Sequence, residues 1–192
     1  NKPIDGANDG ASGVGVLLAI SKALKNNPLD ETTGIDVVLF DLEDYGPPAW
    51  VENYDNLAWG LGSQYWSKNF HKPNYRAYFG ILLDMVGASE PRFPKEYYSH
   101  GLAPGITDKV WRTARQMGYE ECFINEIGQP INDDHIYMNQ FGNIPTVDII
   151  HLVDSDEASF YPHWHTLGDN MSQIDKNTLQ MVGNVLMKVI YE

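Results

Sequence analysis

The chain has 192 residues, of which 43% are hydrophobic and 20% charged, and this composition excludes an intrinsically disordered protein. Its 26 acidic and 13 basic side chains give a net charge of −13, which repels a phosphate backbone and so excludes nucleic acid as a partner. The single cysteine, Cys122, excludes an internal disulfide and a cysteine-based zinc site.

No apolar run approaches the ~20 residues that span a bilayer, so we expect no transmembrane segment. The opening "NKPIDGANDG" reads as the middle of a loop and shows no export signal. We therefore expect residues 1–192 to form a single domain that is the C-terminal part of a longer chain.

The first half of the chain predicts one helix and two strands. Residues 13–26 place Val14 and Leu17 at helical spacing, and "NNP" ends the helix. The β-branched run at 35–42 is bounded by a glycine and the turn "YGPP", and predicts a buried strand. Residues 78–87 repeat that pattern.

The second half alternates in the same way. Residues 105–118 predict a helix that ends at its glycine, 121–126 and 144–152 predict strands, and 175–190 predict a closing helix. Alternating helices and apolar strands predict an α/β fold with a mostly parallel, mixed central sheet and helices on both faces.

Polar residues collect where these strands end. Asp9 precedes the first helix, Glu43 and Asp44 follow the strand at 35–42, Asp84 ends the next strand, and His165 lies downstream of the last. In open α/β sheets ligands bind outside the carboxyl ends of the strands, so this distribution indicates a site.

Each of these residues also has a purely structural interpretation. Asp9 could cap the first helix, although Ser12 would serve as well and leave Asp9 free to face a cleft. Glu43 and Asp44 could form a solvated acidic turn. Adjacent residues at a strand end point in different directions, so one of the pair could bind a metal while the other handles protons. Asp84 is more informative, because an unpaired carboxylate in a buried strand is costly.

The stretch "FYPHWHTLGDN" supplies a histidine partner for these carboxylates. Rings under a loop often only fill space. Nevertheless Asp9, Asp44 and His165 together match the three-ligand pattern of catalytic zinc, which keeps a fourth position open. On that interpretation Trp164 forms a wall of the pocket beside the metal.

Four motifs in order, "GANDGASGV", "LFDLEDYG", "ILLDMVGA" and "HWHTLGDN", resemble the zinc aminopeptidase and glutaminyl cyclase family over the whole chain. The stretches "LLDMVGASEPRF" and "NDDHIYMNQFGNIPTVDIIHL" resemble the cyclases within it. The resemblance implies a zinc-exopeptidase-like fold and zinc on Asp9, Asp44 and His165. The family usually has two adjacent glutamates where this chain has Glu43 and Asp44, and Asp44 is one methylene shorter.

The resemblance also implies roles for the remaining site residues. Glu43 would be the general base and acid, and Asp84 and Asp133 a buried hydrogen-bonding pair at the catalytic centre. Trp164 would line the pocket, and Trp50 would match a second pocket tryptophan. In the aminopeptidases a His-x-Asp motif, expected upstream of residue 1, helps to hold a second zinc, with Asp84 beside it. We expect one zinc rather than two.

Three functions follow, in order of preference. The first is a zinc-dependent glutaminyl-peptide cyclotransferase that forms pyroglutamate from an N-terminal glutamine and releases ammonia. The second is a di-zinc aminopeptidase, in which Glu43 activates water against the first peptide bond. The third is a non-catalytic binding module, although a decayed site would not need to retain every proton-handling carboxylate. Both enzymes act on peptide or protein N-termini. The resemblance favours export to the periplasm or the medium, and the sequence carries no signal for oligomeric state.

Overall fold

A computed structural model describes residues 2–47, 50–52, 55–154 and 159–192. The helices and strands of this part alternate along the chain, as the sequence predicts. The helices are α1 (Ala11–Asn26), α2 (Leu61–Lys68), α3 (Tyr97–Leu102), α4 (Pro104–Gln116), α5 (Asp134–Gln140) and α6 (Lys176–Tyr191). The strands are β1 (Gly80–Asp84), β2 (Phe93–Lys95), β3 (Phe123–Ile127), β4 (Thr146–Ile150), β5 (Leu152–Asp154) and β6 (Ser159–Phe160).

Parallel pairing dominates the sheet structure. Strands β1 and β4 pair in parallel, from Gly80 opposite Thr146 to Asp84 opposite Ile150. Strands β2 and β3 form a second parallel pair, and the short β5 and β6 are antiparallel. The predicted strands at 78–87, 121–126 and 144–152 are thus confirmed, and so is the mixed α/β class with parallel strands.

Strand β4 shows why helices cover both faces of the sheet. All five of its residues are buried, and successive side chains point to opposite faces. Val147 and Ile149 join the main apolar core, which α1, α4 and α6 close with residues such as Val16, Val110 and Val185. Residues of the other face meet α3 and α5 instead. A run buried on both faces is what a parallel strand requires.

The predicted strand at 35–42 is wrong. Residues 33–40 have no regular secondary structure and no strand pairing within the part of the chain that the structure describes, and Ile35, Val37 and Leu39 are exposed. A β-branched run becomes a strand only if a neighbour accepts its backbone hydrogen bonds, and no described strand pairs with it. Its carboxyl end nevertheless delivers the acidic residues to the expected place.

Helix α1 has the predicted extent, but its most buried face carries Val16 and Ile20 rather than Val14 and Leu17, which line a cavity. Gly10 precedes it, and no side chain caps it, so neither Asp9 nor Ser12 has that role. Among the helices that the structure describes, none combines the length and apolar character needed to cross a membrane.

Candidate active site

A cavity of about 1090 Å³ opens at the carboxyl end of β1. It brings together residues from five separate stretches of the chain, which sequence reasoning assigned to one site. Its wall includes Asp9, Glu43, Asp44, Asp84, Asp133, Asp134, Trp164 and His165. The predicted residues thus line one cavity, although only Asp84 ends a described strand.

Asp9, Asp44 and His165 meet at the rim of this cavity. The Nε2 atom of His165 lies 3.2 Å from Oδ2 of Asp44 and 3.4 Å from Oδ2 of Asp9. Tetrahedral zinc with bonds of ~2.0–2.1 Å holds its ligand atoms roughly 3.3–3.4 Å apart. The two carboxylates and one imidazole therefore fit a zinc ion in both donor type and spacing.

Backbone clamps on both sides fix the position of Asp9. The buried carboxylate of Asp169 accepts hydrogen bonds from the backbone N–H groups of Asn8 (2.8 Å) and Asp9 (2.9 Å). On the other side, Asn8 Oδ1 accepts from Gly87 N (2.7 Å) and Ser12 Oγ accepts from Val86 N (3.0 Å), just beyond β1. Sequence reasoning missed Asn8 and Asp169. Their hydrogen-bond partners lie about 80 and 160 residues away in the sequence, where no local pattern relates them.

His165 reaches the rim through a tight turn. Its φ is 55°, in the left-handed region that non-glycine residues rarely occupy, and such strain is often found at functional sites. The ring of Trp164 stacks on the imidazole, with ring centres 3.9 Å apart, and also packs on Phe160 at 4.5 Å. Trp164 thus forms one wall of the cavity and limits the movement of the imidazole.

The environment of the rim changes the acidity of Asp9. Burial, followed by the charge of the Asp44 carboxylate, raises the pKa of Asp9 to about 6 against the opposing effect of His165. A proton or a metal cation relieves the same repulsion between carboxylates. Asp9 therefore favours a positive partner at the rim.

Glu43 lies deeper in the cavity and is surrounded by other acids. Burial, followed by the charges of Asp133, Asp44 and Asp134, raises the pKa of Glu43 to about 10. A cation held at the rim would oppose these charges and lower the pKa toward the neutral range that suits a general base.

Asp84 and Asp133 approach the cavity from different elements. Asp84 is the last residue of β1, and Asp133 is the N-cap of α5, where its side chain accepts a hydrogen bond from the backbone N–H of Asp134. Burial raises the pKa of both groups, and each carboxylate contributes to the acid-rich field around Glu43.

A second acidic group lies behind the cavity, and sequence reasoning did not assign it. His135 Nε2 is 3.0 Å from Glu96 Oε2, and its Nδ1 is 3.9 Å from Asp148 Oδ2, with all three side chains fully buried. Asp148 is a single acid in an apolar strand, the same signal that identified Asp84. Glu96 has no comparable pattern in its surroundings.

The two tryptophans expected to line the pocket differ in position. Trp164 lines the cavity, whereas Trp50 is 83% exposed and is not brought to the cavity wall in this structure. Trp59 lies in the wall instead, next to Gly46. The turn that carries Trp50 also adjoins residues outside the described ranges.

Comparison with known proteins agrees with this geometry. The sequence model of peptidase family M28 matches residues 1–190. The glutaminyl cyclase of Bacteroides thetaiotaomicron, solved with N-acetylhistamine bound, is 49% identical with a TM-score of 0.93, over 100% of this chain and 64% of that one. A Zn-dependent exopeptidase from Parabacteroides distasonis is 46% identical with a TM-score of 0.93, over 100% and 65% of the two chains.

A curated relative, aminopeptidase YwaD of Bacillus subtilis, is 27% identical over 97% of this chain and 37% of its own length. The chain therefore spans about two thirds of the similar solved structures and little more than a third of this relative. The similar proteins include cyclases, exopeptidases and aminopeptidases, all of which fit the families indicated by the motifs.

Proposed function

Because the chain belongs to peptidase family M28, we propose that it is the catalytic part of a zinc-dependent glutaminyl-peptide cyclotransferase. Its substrate would be a peptide or protein that begins with glutamine. The observation that carries this proposal is the Asp9–Asp44–His165 triad, spaced for zinc and facing the carboxyl groups of Glu43 and Asp133 across one cavity. The 49% identity to a glutaminyl cyclase supports the same activity.

The three rim residues would hold a single zinc ion. When bound, zinc supplies Lewis-acid polarisation of the side-chain amide carbonyl of the substrate glutamine. Within the described residues, the two possible metal-binding groups share no ligand, and neither includes Asp84. A dinuclear centre would draw its further ligands from the His-x-Asp motif expected upstream of residue 1, so the number of zinc ions is measured on the full-length protein.

The remaining cavity residues would carry the proton transfers. Glu43 accepts a proton from the α-amine as its nitrogen attacks the side-chain amide carbon, and returns it to the departing nitrogen so that ammonia leaves. Asp84 and Asp133 hold the amine and the leaving group in attacking geometry. Trp164 excludes water beside the reacting carbon and provides a flat apolar wall for the folded glutamine side chain.

The alternative is an aminopeptidase, and the 27% identity to the aminopeptidase from Bacillus subtilis supports it. The same Glu43 would then activate a water molecule against the first peptide bond, and a second metal would assist. The two reactions differ in their products: the cyclase releases ammonia, and the aminopeptidase releases a free amino acid.

The test uses the full-length zinc-loaded protein with two peptides that differ only in the first residue, glutamine or leucine. Ammonia release and pyroglutamate formation from the first, with no cleavage of the second, is the expected result. Release of leucine, with two zinc ions per chain by elemental analysis, would replace the cyclase with the aminopeptidase. Zinc binding without either product would support the binding module.

A further inference from the structure

His135 is buried between carboxyl groups on both sides of its ring. Nε2 faces Glu96 at 3.0 Å, and Nδ1 faces Asp148 at 3.9 Å. One oxygen each of Asp133 and Asp148 lies within 4.8 Å of the other and of a His135 ring nitrogen. Of these four side chains, only Asp133 reaches the cavity wall, and it is 7% exposed.

Glu96 is built as a fixed anchor for the ring. Its carboxylate accepts hydrogen bonds from the backbone N–H groups of Tyr98, Ser99 and Ile131, at 2.6–3.0 Å, in addition to His135. Burial raises the pKa of Glu96, but the hydrogen bonds from His135 and the backbone outweigh it and leave the pKa below its ordinary value. An ionised Glu96 requires a hydrogen on Nε2 of His135, which fixes the orientation of the ring.

The opposite edge of the ring has no such partner. Among the described residues, Nδ1 of His135 and both carboxylate oxygens of Asp148 are buried without a hydrogen-bond partner. Buried polar atoms of this kind need a proton or a cation between them. Two kinds of occupant therefore fit the space, a metal ion or a proton.

The spacing argues against zinc and leaves an ion pair, because 3.9 Å between Nδ1 and Oδ2 is too long for a direct hydrogen bond. Zinc with bonds of ~2.1 Å would need an angle of about 140° to join Nδ1 and Oδ2 across 3.9 Å, far from the tetrahedral value that the rim triad matches. The group is also closed to solvent, with His135 and Asp148 fully buried, so a metal would lack an entry path. A proton shared between the ring and these acids needs neither an angle nor an entry path. Burial raises the pKa of Asp133 and Asp148, so the competing arrangement is a neutral ring beside a protonated acid, and the ¹⁵N spectrum of the ring distinguishes the two.

We propose that Glu96 and His135 form a positioning pair that holds Asp133 in its working orientation from behind the cavity. Glu96 fixes the ring through Nε2, and the Nδ1 edge carries a proton toward Asp133 and Asp148. Asp133 starts the helix turn that contains His135, so the ring and the carboxylate are held by the same segment of backbone. The proposal rests on the proposed cyclase activity, in which Asp133 faces the substrate amine.

The test compares His135→Gln, whose amide nitrogen replaces Nε2 and keeps the bond to Glu96, with His135→Asn, whose amide nitrogen replaces Nδ1. In the full-length zinc-loaded protein we expect kcat to fall roughly 10- to 100-fold in both, as for other residues that orient active-site groups. KM should change by less than about threefold, because the loss is of transition-state geometry. The free energy of unfolding should fall less in His135→Gln, which keeps the hydrogen bond to Glu96, than in His135→Asn.

His151→Gln is the matched control. His151 is also a buried histidine whose Nδ1 lacks a partner among the described residues, but it packs on Phe93 and Tyr161 and is not part of the cavity wall. The control should lose stability with kcat unchanged. An unchanged kcat in both His135 variants, or an equal loss in His151→Gln, would overturn the proposal.

A spectroscopic test separates this proposal from the proposed function. With ¹⁵N-labelled histidine, the His135 ring should show hydrogens on both nitrogens, and the Nε2 resonance should shift in Glu96→Gln. A neutral ring would refute the positioning pair even if ammonia release is confirmed. A protein with this ring signature but no ammonia release would refute the cyclase alone. Zinc that is retained in His165→Ala but lost in His135→Asn would place a metal ion, not a proton, behind the cavity.

Discussion

At the rim of the cavity, the side chains of Asp44 and His165 are 56% and 40% exposed, whereas His135 and Asp148 behind it are completely buried. Both groups combine one imidazole with two carboxylates. Solvent screens the charges at the rim, so the spacing of ligand atoms decides what binds there. Behind the cavity there is no screening, and the balance of protons decides the charge state. Similar residue types would thus bind a metal ion at the rim and hold a proton behind the cavity.

The largest effect at the rim is expected from His165→Ala. Removal of the imidazole leaves two repelling carboxylates, so we expect stoichiometric zinc binding and ammonia release to be abolished while the fold persists. Elemental analysis and circular dichroism provide the measurements. His163→Ala, two residues away and outside the cavity wall, should retain both properties. Zinc retained by the His165 variant would show that the ligand set is wrong.

Glu43→Gln tests the group between the two regions. The amide keeps the shape of the side chain but cannot accept a proton, so kcat should fall by ~10²–10⁴-fold with unchanged zinc content. Glu31→Gln, an exposed change of the same type, should have no effect. A loss below about tenfold, measured by ammonia release, would assign the role of general base to Asp84 instead.

Asp169→Asn should loosen the rim without touching the ligands themselves. One of the two backbone N–H groups at Asn8 and Asp9 would then face an amide NH₂, which costs about 1–3 kcal/mol. Because Asp9 loses its fixed position, the Kd for zinc should rise roughly 10- to 100-fold, measured by competition with a chelator. Asp175→Ala removes the N-cap of α6 and should lower stability with no change in zinc affinity. Equal zinc affinity in wild type and Asp169→Asn would show that the hydrogen bonds from Asn8 and Asp9 to Asp169 do not position the ligand Asp9.

The smallest expected effect concerns Asp134 in the metal-free protein. Burial and the neighbouring Asp133 raise its pKa to about 7, from 3.8 in the unfolded chain. Between these values the native state binds more protons, so stability falls as pH rises and levels off above pH 7. Asp134→Asn should flatten this decline by no more than about 2 kcal/mol between pH 5 and 7, measured by denaturant unfolding.

Asp30→Asn is the matched control for that pH dependence. Hydrogen bonds from Thr32 lower the pKa of Asp30, so any stabilisation it contributes is lost only as pH falls below its ordinary value. This variant should leave the decline between pH 5 and 7 unchanged. A decline of equal steepness in wild type and Asp134→Asn would assign the pH dependence to other carboxyl groups.

The sequence identifies those helices and strands whose own residues show an apolar pattern. Helices α1, α4 and α6 and strands β1, β3 and β4 follow from apolar patterns in their own sequences. The segment at 35–42 has the same apolar, β-branched composition yet pairs with no described strand. Composition shows that a segment can be a strand, but only a neighbouring backbone makes it one.

The sequence by itself determined the chemistry of the rim. The motifs around Asp9, Glu43, Asp44, Asp84 and His165 were enough to select the residues that line one cavity, although only Asp84 ends a described strand. Only the tertiary structure decided that Asp169 clamps Asp9, that Trp59 rather than Trp50 lies in the wall, and that Glu96 meets His135. Those contacts join residues that no local period relates, and their partners are set by packing between elements that are distant in the chain.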